Sequence, residues 1–249
     1  MSGGATLRFW VARVLVALVI LLGDGPGLRP RRGFAEETRP TLYVYLHTDA
    51  KSASLESSLK EKLKGLNVTV FGRFRDFEEA MASNRPDALL GARALVGSQN
   101  APVALQGWRG TRDWEPWSLV SVGAPLSASL SGKAIGVVDL LGRRATQDFV
   151  ADLLRTPELK LKRVTKLEDL LPLLQLAAAD AVLIPSAEVK TVTEHSQLSL
   201  QVREVPEGKV GLASVSVLNP KVRDLVVKQI QALDAETNKV LGVERWRAP

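Results

Sequence analysis

The chain has 249 residues, 45% of them apolar and 24% charged, and a formal net charge of +6 at pH 7. That length allows one large domain or two small ones of ordinary globular composition. With no cysteine, a disulfide framework, a thiolate zinc site, a catalytic thiol and a lipidated N-terminal cysteine are all excluded. Two histidines, His47 and His195, are too few for a His-rich metal site.

Residues 1–35 read as an export signal. Arg8 supplies a positive start, and Val14 to Leu22 is an unbroken apolar run of nine residues. Gly23, Gly25, Pro26 and Gly27 break it, and Gly33-Phe34-Ala35 puts small residues at −3 and −1 before Glu36. Nine residues suit a signal-peptide core and are too short to cross about 30 Å of hydrocarbon as a helix. The expectation is cleavage near Ala35 and a periplasmic protein, the alternative a retained anchor. The segment holds five arginines and one acid, so the mature chain keeps 28 basic and 26 acidic residues. That near balance removes the electrostatic case for a nucleic-acid partner.

From Thr41 the pattern alternates between strand-like and helix-like runs. Thr41–Leu46 is β-branched and aromatic, a strand signal. Leu55, Leu59 and Leu63 form one stripe of a helix over Ser54–Lys64. Asn67–Phe71 is a strand, and Asp76 caps a helix carrying Phe77, Ala80 and Met81. Ala88–Leu90 and Val103–Leu105 are short buried strands, followed by a tryptophan-rich loop, Trp108–Trp117. The pattern then restarts. Ser118–Val122 and Ala134–Val138 are strands separated by a linker-like Gly123–Ser131. Thr146–Arg155 is a helix, Val164 ends an edge strand, and Leu167–Ala178 is a leucine-rich helix. Ala181–Ile184, Val202–Val205 and Val210–Leu218 are strands, and Asn219-Pro220 opens a helix over Lys221–Leu233. Two βαβ blocks with a late return segment imply an α/β protein of two lobes.

Five phrases in order strengthen that reading. They are the strand Thr41–Leu46 after a signal, Arg85-Pro86-Asp87-Ala88-Leu89-Leu90, Leu130-Ser131-Gly132-Lys133-Ala134-Ile135-Gly136-Val137, Leu176-Ala177-Ala178-Ala179-Asp180-Ala181-Val182, and Leu241-Gly242-Val243-Glu244-Arg245-Trp246. Together they resemble the periplasmic solute-binding proteins of the type 2 fold, closest to the phosphate/phosphonate-type components of ABC transporters. The resemblance implies two α/β lobes, each a mostly parallel sheet flanked by helices, with a small ligand captured between them by hinge closure. Lobe 1 would be 36–123 completed by 212–249, and lobe 2 would be 124–211. A membrane permease or a sensor would be the partner, the protein would be a monomer, and no cofactor or metal would be needed. The stretch Asp139–Thr146 departs from the Ser/Thr/Gly run by which phosphonate-type proteins hold their anion.

Ligands of open α/β lobes sit beyond the C-terminal ends of strands, where helix N-termini aim N–H groups outward. His47, Thr48 and Asp49 follow the first strand, and Arg93 follows Ala88–Leu90. Gly142, Arg143, Arg144 and Thr146 open the second-lobe helix, and Ser186 follows Ala181–Ile184. The partial positive charge of a helix start and the bidentate guanidinium both favour an anionic ligand. Of Arg143 and Arg144, adjacent residues, at most one would face a cleft.

Catalytic motifs are poor. Ser57-x-x-Lys60 lies on a charged helix, and neither Ser-Asp-Asn nor Lys-Thr-Gly accompanies it. Two alternatives remain open: a small-carboxylate dehydratase-like enzyme on the same scaffold, using His47 or Asp49 as general base, and an interaction protein whose cleft has lost its ligand.

Overall fold

A computed structural model describes residues 39–249, apart from Asp49, His195 and the Glu207 side chain. The export segment expected over 1–35 lies outside the described residues, as do Asp49 and His195.

The first half of the chain alternates strand and helix: β1 (Thr41–Tyr45), α1 (Ser52–Lys62), β2 (Asn67–Val70), α2 (Phe74–Ser83), β3 (Ala88–Ala92), α3 (Arg93–Ser98) and β4 (Val103–Trp108). The second block is β5 (Trp114–Val122), β6 (Ala134–Val138), α4 (Arg143–Leu154), β7 (Lys160–Val164), α5 (Leu170–Gln175), β8 (Ala181–Pro185), α6 (Val189–Glu194) and β9 (Leu200–Gly211). The chain ends in β10 (Ala213–Val217), α7 (Arg223–Gln231), α8 (Ala235–Val240) and β11 (Arg245–Arg247).

Two mixed sheets result. The first has the order β11-β4-β10-β3-β1-β2, the second β7-β6-β8-β5-β9. Residue alternation along β1 explains how the first sheet is covered on both faces. Leu42 and Val44 point into a cluster with Leu55 and Leu59 of α1 and Val226 and Ile230 of α7. Tyr43 and Tyr45 point the other way, onto Phe77 of α2 and Leu95 of α3. The second sheet repeats the arrangement through β8. Leu183 meets Val150 of α4, while Val182 and Ile184 meet Leu170 and Leu174 of α5 and Val192 of α6. Strands buried on both faces read as continuous apolar runs, which is why Ala181–Ile184 carries no alternation.

The tryptophan-rich stretch is not one loop. β4 runs to Trp108 and β5 starts at Trp114, so the chain crosses from the first sheet to the second within residues 109–113. Trp117 belongs to the second core, where its ring meets Phe149 edge-on. The expected boundary after residue 123 therefore cuts behind a strand already belonging to the second sheet. Leu212 makes the return crossing, inside the long alternating run Val210–Leu218. The leucine-rich helix is also shorter than its pattern, because Ala177 adopts φ +50° and Leu176 is left 79% exposed. Asp76 sits in the first turn of α2, whose N-cap is Arg73.

No helix among the described residues is long and apolar enough to cross a membrane.

Candidate functional site

Strand direction fixes which loops face each other. In the first sheet β1, β3 and β4 end, and β11 begins, on one edge. In the second sheet β6, β8 and β9 end, and β5 begins, on one edge. The two crossings join these edges, so both face a common cleft.

At the hinge the crossings are tied together. Leu212 N donates to Asp113 O at 2.9 Å. The buried Gln106 amide spans both, donating to Asp113 O at 3.3 Å and Leu212 O at 3.4 Å. Its Oε1 accepts from Arg93 Nη1 at 2.5 Å and from Ser214 Oγ at 2.7 Å. Arg93, expected to meet ligand, thus lies in the hinge, packed over Gly211 and 3.7 Å from Asp113.

On one side of the hinge the lobes touch. The Tyr45 hydroxyl donates to Asp139 O across the cleft at 3.0 Å and lies 3.3 Å from His47 Nε2. Burial, and then the charge of Asp139, push the Tyr45 pKa far up, so this donor stays protonated. Phe74 lies against Gly142, and Leu141 packs into the aromatic cluster of Tyr45 and Phe77. His47 keeps much of its surface in solvent. Even so, protein around its ring lowers its pKa by desolvation, opposed by a hydrogen bond to the Asp139 backbone and by the Asp139 charge. Thr48 spends its hydroxyl on Ala50 O.

Thr146 is fully buried and committed to the turn beneath this contact. It donates to Asp139 Oδ1 at 2.8 Å and accepts from Leu141 N at 3.0 Å. Arg163 holds the other Asp139 oxygen at 3.1 Å. Arg143 and Arg144 are both exposed on the rim of the second lobe.

On the other side the cleft opens into a cavity of about 550 Å³ at the starts of β5 and β11 and the ends of β4 and β8. Its walls include Arg109, Arg112, Trp114, Glu115, Ser186 and Glu244. Arg109 pairs with Glu115 at 3.5 Å and donates to Gly242 O at 2.7 Å. Burial is the main cause raising the Glu115 pKa, with Glu188 adding to it and Arg109 opposing. The Arg112 guanidinium and the Lys209 ammonium lie 4.9 and 5.0 Å from the Trp114 ring centre. Ser186 Oγ is 2.7 Å from Ser118 Oγ. Among the described residues no three His, Asp or Glu side chains gather as metal ligands.

Of the residues singled out in the sequence, His47, Thr48, Gly142, Arg143 and Arg144 fall around the lobe contact and Ser186 falls in the cavity. Arg93 and Thr146 serve the hinge and a turn. Tyr45, Phe74, Asp139 and the charged walls of the cavity carried no signal that sequence reasoning used. The turn signal Arg109-Gly110-Thr111-Arg112 would have placed the crossing, since Gly110 adopts φ +57° there.

No family model matches the chain, and no curated protein matches its sequence. Solved structures do match by shape. The substrate-binding protein of an amino acid ABC transporter superposes with a TM-score of 0.55 at 17% identity, covering 81% of this chain and 97% of that one. The GluR0 ligand-binding core in complex with L-glutamate gives 0.55 at 16%, covering 83% and 100%. An ancestral arginine-binding protein bound to arginine gives 0.55 at 16%, covering 82% and 98%. The chain has the two-lobed periplasmic-binding-protein type 2 fold.

Proposed function

We propose that the protein is an extracytoplasmic solute-binding protein that captures a small ligand bearing an anionic group between its lobes, for a membrane permease or a sensor. The observation that carries this reading is the cavity of about 550 Å³ beside a two-strand hinge, walled by Trp114, Glu115 and Pro116 of β5, by Ser186 just after β8 and by Glu244 just ahead of β11. That size suits a small molecule, and two lobes joined by two strands can exchange open and closed states that a ligand biases by binding one better.

Both signs of charge line the cavity. Arg112 is exposed, its guanidinium lies over the Trp114 ring in the cavity wall, and it is the proposed anion contact, with Ser186 also in that wall. His47, Thr48, Gly142, Arg143 and Arg144 are proposed to join only where the lobe contact parts, and Arg93 to act through the hinge. L-Glutamate and arginine, bound by two of the similar structures, differ in net charge but share a carboxylate, which supports an anionic group more than an anionic molecule. Export to the periplasm and a phosphate- or phosphonate-like ligand remain part of the proposal from the sequence.

Native mass spectrometry of the purified protein, followed by calorimetric titration with carboxylates, amino acids and phosphate, tests it. A retained or titratable small molecule whose affinity drops in Arg112→Ala is expected. Failure to bind any of them would favour a second reading, an interaction protein without a small ligand, for which Tyr45 and Leu141 filling part of the cleft already speaks.

A further inference from the structure

Contacts that a ligand would complete in an open cleft are made here by the chain itself. From the first lobe, the Tyr45 hydroxyl satisfies the Asp139 carbonyl at the edge of the second sheet. Phe74 occupies the space directly over Gly142, the residue that precedes α4, so a ligand approaching that helix start meets an aromatic ring first. From the second lobe, Leu141 enters the aromatic cluster formed by Tyr45, Phe74 and Phe77. The two surfaces are fitted to one another. Gly142 lacks a Cβ exactly where one would stand 2.5 Å from the Phe74 ring, and its φ of +82° is a conformation that other residues rarely adopt.

We infer that Tyr45, Phe74, Leu141 and Gly142 form an interlobe latch that holds this half of the cleft closed without a ligand. The inference is independent of the proposed function, since it holds whether or not the cavity takes a small molecule. A ligand in the cavity beside the hinge then binds an already closed protein. A ligand at the start of α4 must displace Tyr45 and Phe74. A partner that recognises the closed form would find it in the ligand-free protein. Closure by apolar and aromatic packing also needs no charge, which fits the polar groups around the latch being committed elsewhere: Asp139 to Thr146 and Arg163, and Thr146 to Leu141 N.

The absence of cysteine makes the test direct. Glu78→Cys on α2 and Asp148→Cys on α4, both exposed positions, give a single pair of spin labels across the contact. Protein stripped of bound molecules by unfolding and refolding is measured by double electron–electron resonance. A single narrow distance population is expected. Adding Tyr45→Phe and Leu141→Ala is expected to shift much of it to a longer, broader population while the circular dichroism spectrum stays native. Leu161→Ala, which packs in the second core away from the contact, is expected to lower the melting temperature without lengthening the distance. A broad distribution in the ligand-free label pair overturns the inference. So does an unchanged distance in the folded double variant, or an equal lengthening in Leu161→Ala.

Discussion

Phe74 of the first lobe lies against the backbone of Gly142 in the second, close enough that a Cβ on Gly142 would stand 2.5 Å from the ring. The φ of +82° and ψ of 172° at Gly142 belong to a region essentially reserved for glycine. Gly142→Ala is therefore expected to cost about 1–3 kcal/mol in urea unfolding. Part of that cost is steric and part is backbone strain. Phe74→Ala in the same background removes the steric part, so the two effects should be less than additive when Gly142→Ala is made on Phe74→Ala. Strict additivity would mean the ring and the glycine do not meet.

Thr146 supports the same contact from beneath. Thr146→Val keeps the shape but strips a donor from Asp139 and an acceptor from Leu141 N, both at a fully buried position. A loss of about 1–3 kcal/mol is expected. Arg144→Ala, two positions earlier and exposed, should stay within about 0.5 kcal/mol of the parent. Equal effects of the two would contradict the buried role of Thr146.

These residues show what the sequence made legible. Periodicity located β1 and α1 because their stripes face one way: Leu42 and Val44 against Leu55 and Leu59. The order of strands and helices implied two α/β lobes, and both sheets formed. Proximity to strand ends singled out His47 and Gly142, which lie on either side of the Tyr45–Asp139 contact, yet that rule cannot distinguish a residue facing ligand from one tying down its own turn, as Thr146 does. Tyr45 read only as part of a strand and Phe74 carried no signal of its own, and half of each role is ordinary core packing around Phe77. Their contact with the second lobe depends on how the two sheets are set against each other, which no local pattern encodes. Trp117 illustrates the opposite error. Three tryptophans within ten positions suggested a loop, whereas Trp114–Val122 is a strand with Trp117 turned into the core.

Gln106 gives the hinge its rigidity. Its amide donates to a carbonyl on each crossing and its oxygen accepts from Arg93 and Ser214. Gln106→Met fills the same volume but removes all four of these hydrogen bonds in a site where Gln106 is only 1% exposed. A loss of about 1–3 kcal/mol is expected, together with faster exchange than in the parent at the Leu212 amide, which donates to Asp113 O. Unchanged exchange at Leu212 would show that the strands hold the hinge without the clamp.

His47 makes the stability pH-dependent in a defined direction. Desolvation holds its pKa below 6.5 in the folded protein, so the folded state binds fewer protons than the unfolded one near that pH. Stability then rises with pH through this window and is lost on acidification from about 6.5 toward the lowered folded value. The urea midpoint should fall between about pH 7 and pH 5, and His47→Gln should flatten that part of the profile. A His47→Gln profile that falls as steeply as the parent's over the same range would refute the desolvation of the His47 ring.

Glu115 works in the opposite sense, in the wall of the cavity. Burial and the neighbouring charge of Glu188 raise its pKa above 4.5 against the pull of Arg109, so the folded protein binds more protons than the unfolded chain. Stability from this group is full below about 4.5 and declines as pH rises through the folded pKa. Glu115→Gln should remove that decline and leave the protein at least as stable at neutral pH. Arg109→Gln should steepen the decline, because the carboxylate loses the cation 3.5 Å away. The same pair of variants probes the cavity. Neutralising Glu115 takes a negative charge from the wall and should tighten binding of any anionic ligand there, whereas Arg109→Gln should weaken it. If Glu115→Gln instead lowers both neutral-pH stability and anion affinity, the carboxylate is stabilised by its surroundings and the charge assignment of the cavity is wrong.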